Sequence, residues 1–210
     1  MQKVLVVSPH PDDEAIGCGG VICKHVAEGD EVHVVFLTSG EKGGHGRAED
    51  ETKQLREREA LEAAKVLGTA SSEFWREADK EVPVNDSTID RLFKKIEDLQ
   101  PSVIYVTHEN EEHPDHKAAA AIVKQAVSRI QNDIMILGYE VWTPIQQMDH
   151  IVDISDYVTT KERAIQAHKS QCDVLKFDEA ILALNRYRGE MHSWPGGDYA
   201  EVFTLLKIKV

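Results

Sequence analysis

"KVLVVSPHPDDEAIGCGG", residues 3–20, joins a short apolar run directly to a row of three acids and a histidine. "KVLVV" (3–7) is continuous and β-branched, which predicts a strand buried on both faces. A helix follows, roughly Glu14 to Glu28, ended by Gly29. The same alternation runs on through the chain. "EVHVVFLT" (31–38) reads as a strand, residues 49–67 as a long charged helix stopped by Gly68, and "SEFW" (72–75) as a short strand. Ile89, Leu92, Phe93, Ile96 and Leu99 recur at helical spacing before Pro101, and "SVIYVT" (102–107) extends again. Helical spacing returns at Ile122, Val123, Ala126, Val127 and Ile130, then "IMILGYEVW" (134–142) is strand-like. Beyond Trp142 the rhythm loosens, with a strand over 150–155, helices over 159–169 and beyond Asp173, and a last strand near the C-terminus. Alternating strands and helices predict an α/β fold: a mostly parallel sheet with helices on both faces. Neither repeat nor linker divides residues 1–210, so a single domain is expected.

The balance of residues excludes several partners. A net charge of −13 argues against nucleic acid and against an anionic membrane surface. No stretch approaches the roughly 20 apolar residues of a membrane span, and the first residues lack a secretory pattern. Cys18, Cys23 and Cys172 are odd in number and stand in no metal or redox spacing, which predicts reduced thiols and a cytoplasmic protein.

Adjacent carboxylates at the end of a buried strand repel one another and are costly to desolvate unless something positive offsets them. Parallel sheets bind ligands beyond the carboxyl ends of their strands. Two polar clusters are expected there: His10-Pro11-Asp12-Asp13-Glu14, and His113-Pro114-Asp115-His116 after "SVIYVT". Either cluster alone reads equally well as turn chemistry, because Pro-Asp pairs start helices. Two of them favour a divalent metal shared between the turns. Imidazole with carboxylate suits zinc, and a catalytic zinc keeps three protein ligands and one open position. His10, Asp13 and one histidine of the second cluster would supply the three, leaving Asp12 free to act as a base. "GCGG" (17–20) lies inside the helix, not between strand and helix, so it fails as a dinucleotide-binding turn. Its small residues are expected to let the helix approach the sheet closely.

"PHPDDE" (9–14) with "HPDH" (113–116) is similar to the PIG-L/LmbE-like zinc-dependent deacetylases. "LTSGEKGGHG" (37–46), "REREALEAAKVLG" (56–68), "YEVWTP" (139–144) and "AHKSQ" (167–171) also resemble segments of that family, so the resemblance covers most of the chain. It implies a Rossmann-like fold, frequent homo-oligomers and removal of an N-acetyl group from an N-acetylglucosamine-type sugar or conjugate. It implies zinc, or another divalent transition metal, held by His10, Asp13 and His116. Asp12 would then be the general base and His113 the group that polarises the carbonyl, stabilises the oxyanion or protonates the amine. Asp115 would orient a histidine, and Arg56 would reach the substrate, unless it is a solvent-facing charge of its helix. The sequence departs from the family at "ENEE" (109–112), where Glu111 and Glu112 are expected near the mouth and would disfavour anionic substrates. His45 is a further candidate pocket residue in the glycine-rich loop.

Overall fold

Along β1 (Lys3–Ser8), Val4 and Val6 enter one apolar layer while Leu5 and Val7 enter the other, as the period of two requires of a strand covered on both sides. The computed structural model describes residues 1–131, 133–192 and 197–206. Seven strands form one sheet: β2 (Glu31–Thr38), β3 (Ser71–Glu77), β4 (Val103–Thr107), β5 (Met135–Tyr139), β6 (His150–Asp153) and β7 (Ala200–Leu205) join β1 in the order β3-β2-β1-β4-β5-β7-β6. The first five strands are parallel, and β7 runs antiparallel to both β5 and β6.

Helices cover both faces. On one side α1 (Asp13–Ala27), α2 (Glu49–Leu67), α5 (Val158–Ala167) and α7 (Phe177–His192) pack residues such as Ile22, Ala60, Ile165 and Ile181. On the other, α3 (Asp86–Leu99) and α4 (Pro114–Val127) bury Leu92, Ile96, Ile122 and Val123. One further turn, α6 (Lys169–Cys172), separates α5 from α7.

The chain leaves β1 toward β2 and β3, then returns to lay β4 on the other side of β1. This reversal opens a crevice beyond the carboxyl ends of β1 and β4, the place where such sheets bind ligands. Both His-Pro-Asp clusters stand there.

Close approach of α1 to the sheet fixes the first of them. A Cβ on Gly17 would meet the buried Tyr139 ring at 2.1 Å, so only glycine fits. The helix breaks its regular course at Cys18 (φ −142°, ψ 21°). Beyond the break, Gly20 and Val21 donate their N–H groups to the Glu201 carboxylate, both at 2.8 Å, and Lys161 balances that charge at 2.7 Å. β5 is shorter than the apolar run around it, because the backbone N–H groups of residues 141–143 turn to the Glu111 carboxylate instead of a neighbouring strand.

Candidate metal centre and active site

The strand-to-helix turn after β1 folds around its own acids. Asp13 accepts the His10 N–H at 2.9 Å, and Glu14 accepts the Asp12 N–H at 3.1 Å. Glu14 thus faces inward to hold the turn, with the buried His168 ring at 3.5 Å on its far side. Asp12 caps α1 with φ 128°, a conformation L-residues adopt only at a cost of about 1–3 kcal/mol and one found where surrounding structure holds a reactive group in place.

The second turn meets the first. His10 Nδ1 lies 3.1 Å from Asp13 Oδ2, His116 Nε2 lies 3.2 Å from the same oxygen, and the two nitrogens are 3.3 Å apart. A tetrahedral ion with bonds of about 2.0–2.1 Å spaces its donors about 3.3–3.4 Å apart, so this triangle matches one face of such a polyhedron. Two imidazoles and one carboxylate are also the donor set of a divalent transition metal. One ring nitrogen of His113 comes within 4.8 Å of one of His10 and one of His116.

Each histidine of the triangle is backed by acid on its other nitrogen. His10 Nε2 faces Asp115 at 3.1 Å and Asp79 at 3.2 Å, and His116 Nδ1 faces Glu111 at 3.6 Å. Such carboxylates fix ring orientation and raise ligand basicity. Asp115 is itself held by the N–H groups of Lys80 and Val82. Burial disfavours charge on His116, yet the Asp13 carboxylate overrides it and pushes the imidazole up to about 9. The centre therefore attracts positive charge.

His113 caps α4, its Nδ1 accepting the Asp115 N–H at 3.2 Å. That bond leaves the proton of a neutral ring on Nε2. Burial holds the imidazole below its usual range.

Arg56 is buried, not solvent-facing. Its guanidinium donates to Asp12 Oδ2 at 3.0 Å, to the Pro11 carbonyl at 2.7 Å and to the Gly40 carbonyl at 3.0 Å. A Cβ on Gly40 would meet its Nη1 at 2.2 Å, which explains a glycine in this loop beyond its φ of 63°. Asp12 is pushed up to about 6 by burial, against the opposing pull of Arg56. We expect Arg56→Met to destabilise the fold by about 3–5 kcal/mol, because a buried carboxylate and two carbonyls lose their donor. Urea unfolding reads this as a lower midpoint, and an unchanged midpoint would show that Arg56 does not hold the turn.

Of the two clusters, His10, Asp12, Asp13 and His113 line one crevice, whose cavity has a volume of about 220 Å³, and Asp115 and His116 stand against those residues. Arg56 and the loop residue His45 line it as well. Sequence reading misplaced Glu111: it is fully buried behind His116, its charge taken up by the N–H groups of Val141, Trp142 and Thr143, and neither it nor the exposed Glu112 lines the cavity. The expected penalty on anionic substrates loses its basis. Asp79 was missed, although it follows the carboxyl end of β3 and the strand-end rule that located the other clusters applies to it equally. "AHKSQ" is partly architectural: Ser170 donates twice to the buried Glu59, while Gln171 reaches the Gly43 carbonyl and lines the cavity.

A mostly parallel α/β sheet with a carboxylate–imidazole cluster at its switch point defines an α/β protein with side chains able to hold a metal ion. The chain belongs to the PIG-L family, described as GlcNAc-PI de-N-acetylase, whose model matches residues 5–127, more than half of its length. It is similar to the diacetylchitobiose deacetylase of Thermococcus kodakarensis, 31% identical over 96% of this chain and 82% of that protein. The solved N,N'-diacetylchitobiose deacetylase of Pyrococcus horikoshii superposes with a TM-score of 0.87 at 27% identity, covering 98% of this chain and 84% of that one. The 4-oxalmesaconate hydratase of Pseudomonas putida is also similar, 31% identical over 81% of this chain and 74% of that protein.

Proposed function

We propose that this protein is a zinc-dependent deacetylase that hydrolyses the N-acetyl group of an N-acetylglucosamine-type sugar or sugar conjugate. The observation that carries the reading is the triangle of His10 Nδ1, Asp13 Oδ2 and His116 Nε2, with the Asp12 carboxylate bound by Arg56 in the same crevice. Those three residues would hold the ion, which when bound supplies Lewis acidity to water and to the amide carbonyl.

The other groups of the chain do the rest. Asp12 takes a proton from the attacking water at its carboxylate, and Arg56 keeps that carboxylate aimed. The Nε2–H of His113 donates to the carbonyl oxygen as negative charge develops there. The new C–O bond forms, the C–N bond breaks, and the proton held by Asp12 passes to the departing nitrogen. Acetate and a free amine result, since an unprotonated amide anion is too basic to leave. Asp115 positions His10, and its backbone N–H fixes the tautomer of His113.

No helix among the described residues is long and apolar enough to cross a membrane. Cys18, Cys23 and Cys172 are free thiols, in keeping with the cytoplasmic location that forms part of this reading. The test is acetate release from N-acetylglucosamine and its conjugates, by zinc-loaded and chelator-treated protein. Zinc-dependent acetate release is expected. Hydration of an unsaturated carboxylate with no acetate from any N-acetyl sugar would overturn the reading in favour of hydratase chemistry.

A further inference from the structure

We propose that His168 is a positioning residue for the general base: through the Glu14 carboxylate it holds the strained turn that presents Asp12 to the crevice. This role rests on the deacetylase reading, which makes Asp12 the base, and goes beyond it to a buried side chain that lines no part of the cavity.

His168 is the single residue between α5 and α6, and its backbone is tied on both sides. Its N–H donates to the Ile165 carbonyl at 3.0 Å, and its own carbonyl accepts from Gln171 and Cys172, both at 3.0 Å. The segment so fixed reaches three places. Ser170 holds Glu59 of α2, Gln171 holds the Gly43 carbonyl of the loop after β2, and His168 faces the turn after β1. The ring is 1% exposed; its Nε2 faces Glu14 Oε1 at 3.5 Å, and neither ring nitrogen has a hydrogen bond to any other described group. A buried imidazole with one polar neighbour has one use for that nitrogen, which is to donate to the carboxylate.

Glu14 passes the restraint on. Its other oxygen, Oε2, accepts the Asp12 N–H at 3.1 Å and stands 3.4 Å from the Ser8 hydroxyl. A buried carboxylate keeps its charge and its orientation only if donors meet both oxygens. His168 serves the Oε1 side. Burial disfavours charge on that ring, and the Glu14 carboxylate outweighs it, so the imidazole is held above its usual range. Three adjacent acids are then answered by three different positive groups: Asp13 by the ion it would hold, Asp12 by Arg56 at 3.0 Å, and Glu14 by His168. Asp12 is gripped twice, at its carboxylate by Arg56 and at its backbone by Glu14. The second grip matters because φ at Asp12 is 128°, a conformation that persists only where its surroundings over-determine it. Without a donor at position 168, the carboxylate plane that receives the Asp12 N–H is no longer fixed, and the turn relaxes.

The experiment compares His168→Phe and His168→Asn, which place no donor at the reach of Nε2, with His168→Gln, whose amide nitrogen does reach it. Two donorless variants guard against one failing to fold. In chelator-treated protein, hydrogen exchange of the Asp12 amide should quicken about tenfold in both, relative to the amides of β4, and should keep its parent rate in His168→Gln. A general loss of stability would move the Asp12 and β4 amides together. In zinc-loaded protein, turnover should fall about 10–100-fold with KM and zinc affinity unchanged, the loss expected of a misplaced base beside an intact binding site. In an Asp12→Asn background the same substitutions should cost no further turnover, because the group they position is already gone. An unchanged Asp12 exchange rate in a folded Phe or Asn variant overturns the proposal. So does a loss of turnover that persists in full beside Asp12→Asn, or one that His168→Gln shares. If the parent releases no acetate, the deacetylase reading fails separately, and the exchange measurement still decides whether His168 holds the turn.

Discussion

Asp12→Asn will leave the protein folded and metal-loaded while lowering turnover by about 10²–10⁴-fold, the contribution of a positioned general base. The substitution is chosen for its geometry. Position 12 has φ 128°, and asparagine keeps the size and shape of the aspartate that the surrounding structure holds there. An amide oxygen can still accept from the Arg56 guanidinium, which approaches Asp12 Oδ2 at 3.0 Å, so the buried arginine keeps its partner. What the amide cannot do is take a proton from water. Bound metal measured by atomic emission should match the parent, because Asp12 is not a member of the donor triangle. Normal acetate release by this variant would remove Asp12 from the mechanism, and loss of the metal would make it a ligand instead.

The opposite pattern is expected of His116→Ala. It removes one corner of the triangle and leaves Asp13 and Glu111 facing a gap where a buried imidazole stood. Metal affinity should fall by more than the roughly 10–100-fold typical of losing a supporting residue, and turnover should fall with it. Competition with a fluorescent chelator reads the affinity directly, whatever the activity. Parent protein stripped by chelator should recover its acetate release when zinc is returned, whereas His116→Ala should not recover at the same free zinc. If the variant binds zinc as tightly as the parent, the ion is held elsewhere and the assignment fails. The two variants thus separate holding the ion from using it.

Much of this site was legible because it is encoded locally. His10, Asp12 and Asp13 stand on one turn and His113, Asp115 and His116 on another, and each turn follows a buried strand whose composition announces it. A rule about strand ends then suffices to bring the two together. Arg56 was harder. In a helix with charges at most positions, spacing alone does not say which charge points inward, and the answer comes from the carbonyls of Pro11 and Gly40 that lie across from it. Glu111 was misread for a related reason. A carboxylate beside the His113-Pro114-Asp115-His116 turn looks exposed until the backbone N–H groups of residues 141–143, some thirty positions away, are found pointing at it.

By itself the sequence determined the alternation of strand and helix, the two acid–imidazole turns and the kind of ion they suit. Those follow from side-chain periodicity and donor chemistry, which act over a few residues. Only the tertiary structure decided which acid backs which histidine, where Arg56 and Asp79 point, and that His168 stands behind Glu14. Each of those depends on groups brought together by packing from distant parts of the chain, and no local preference records such a meeting.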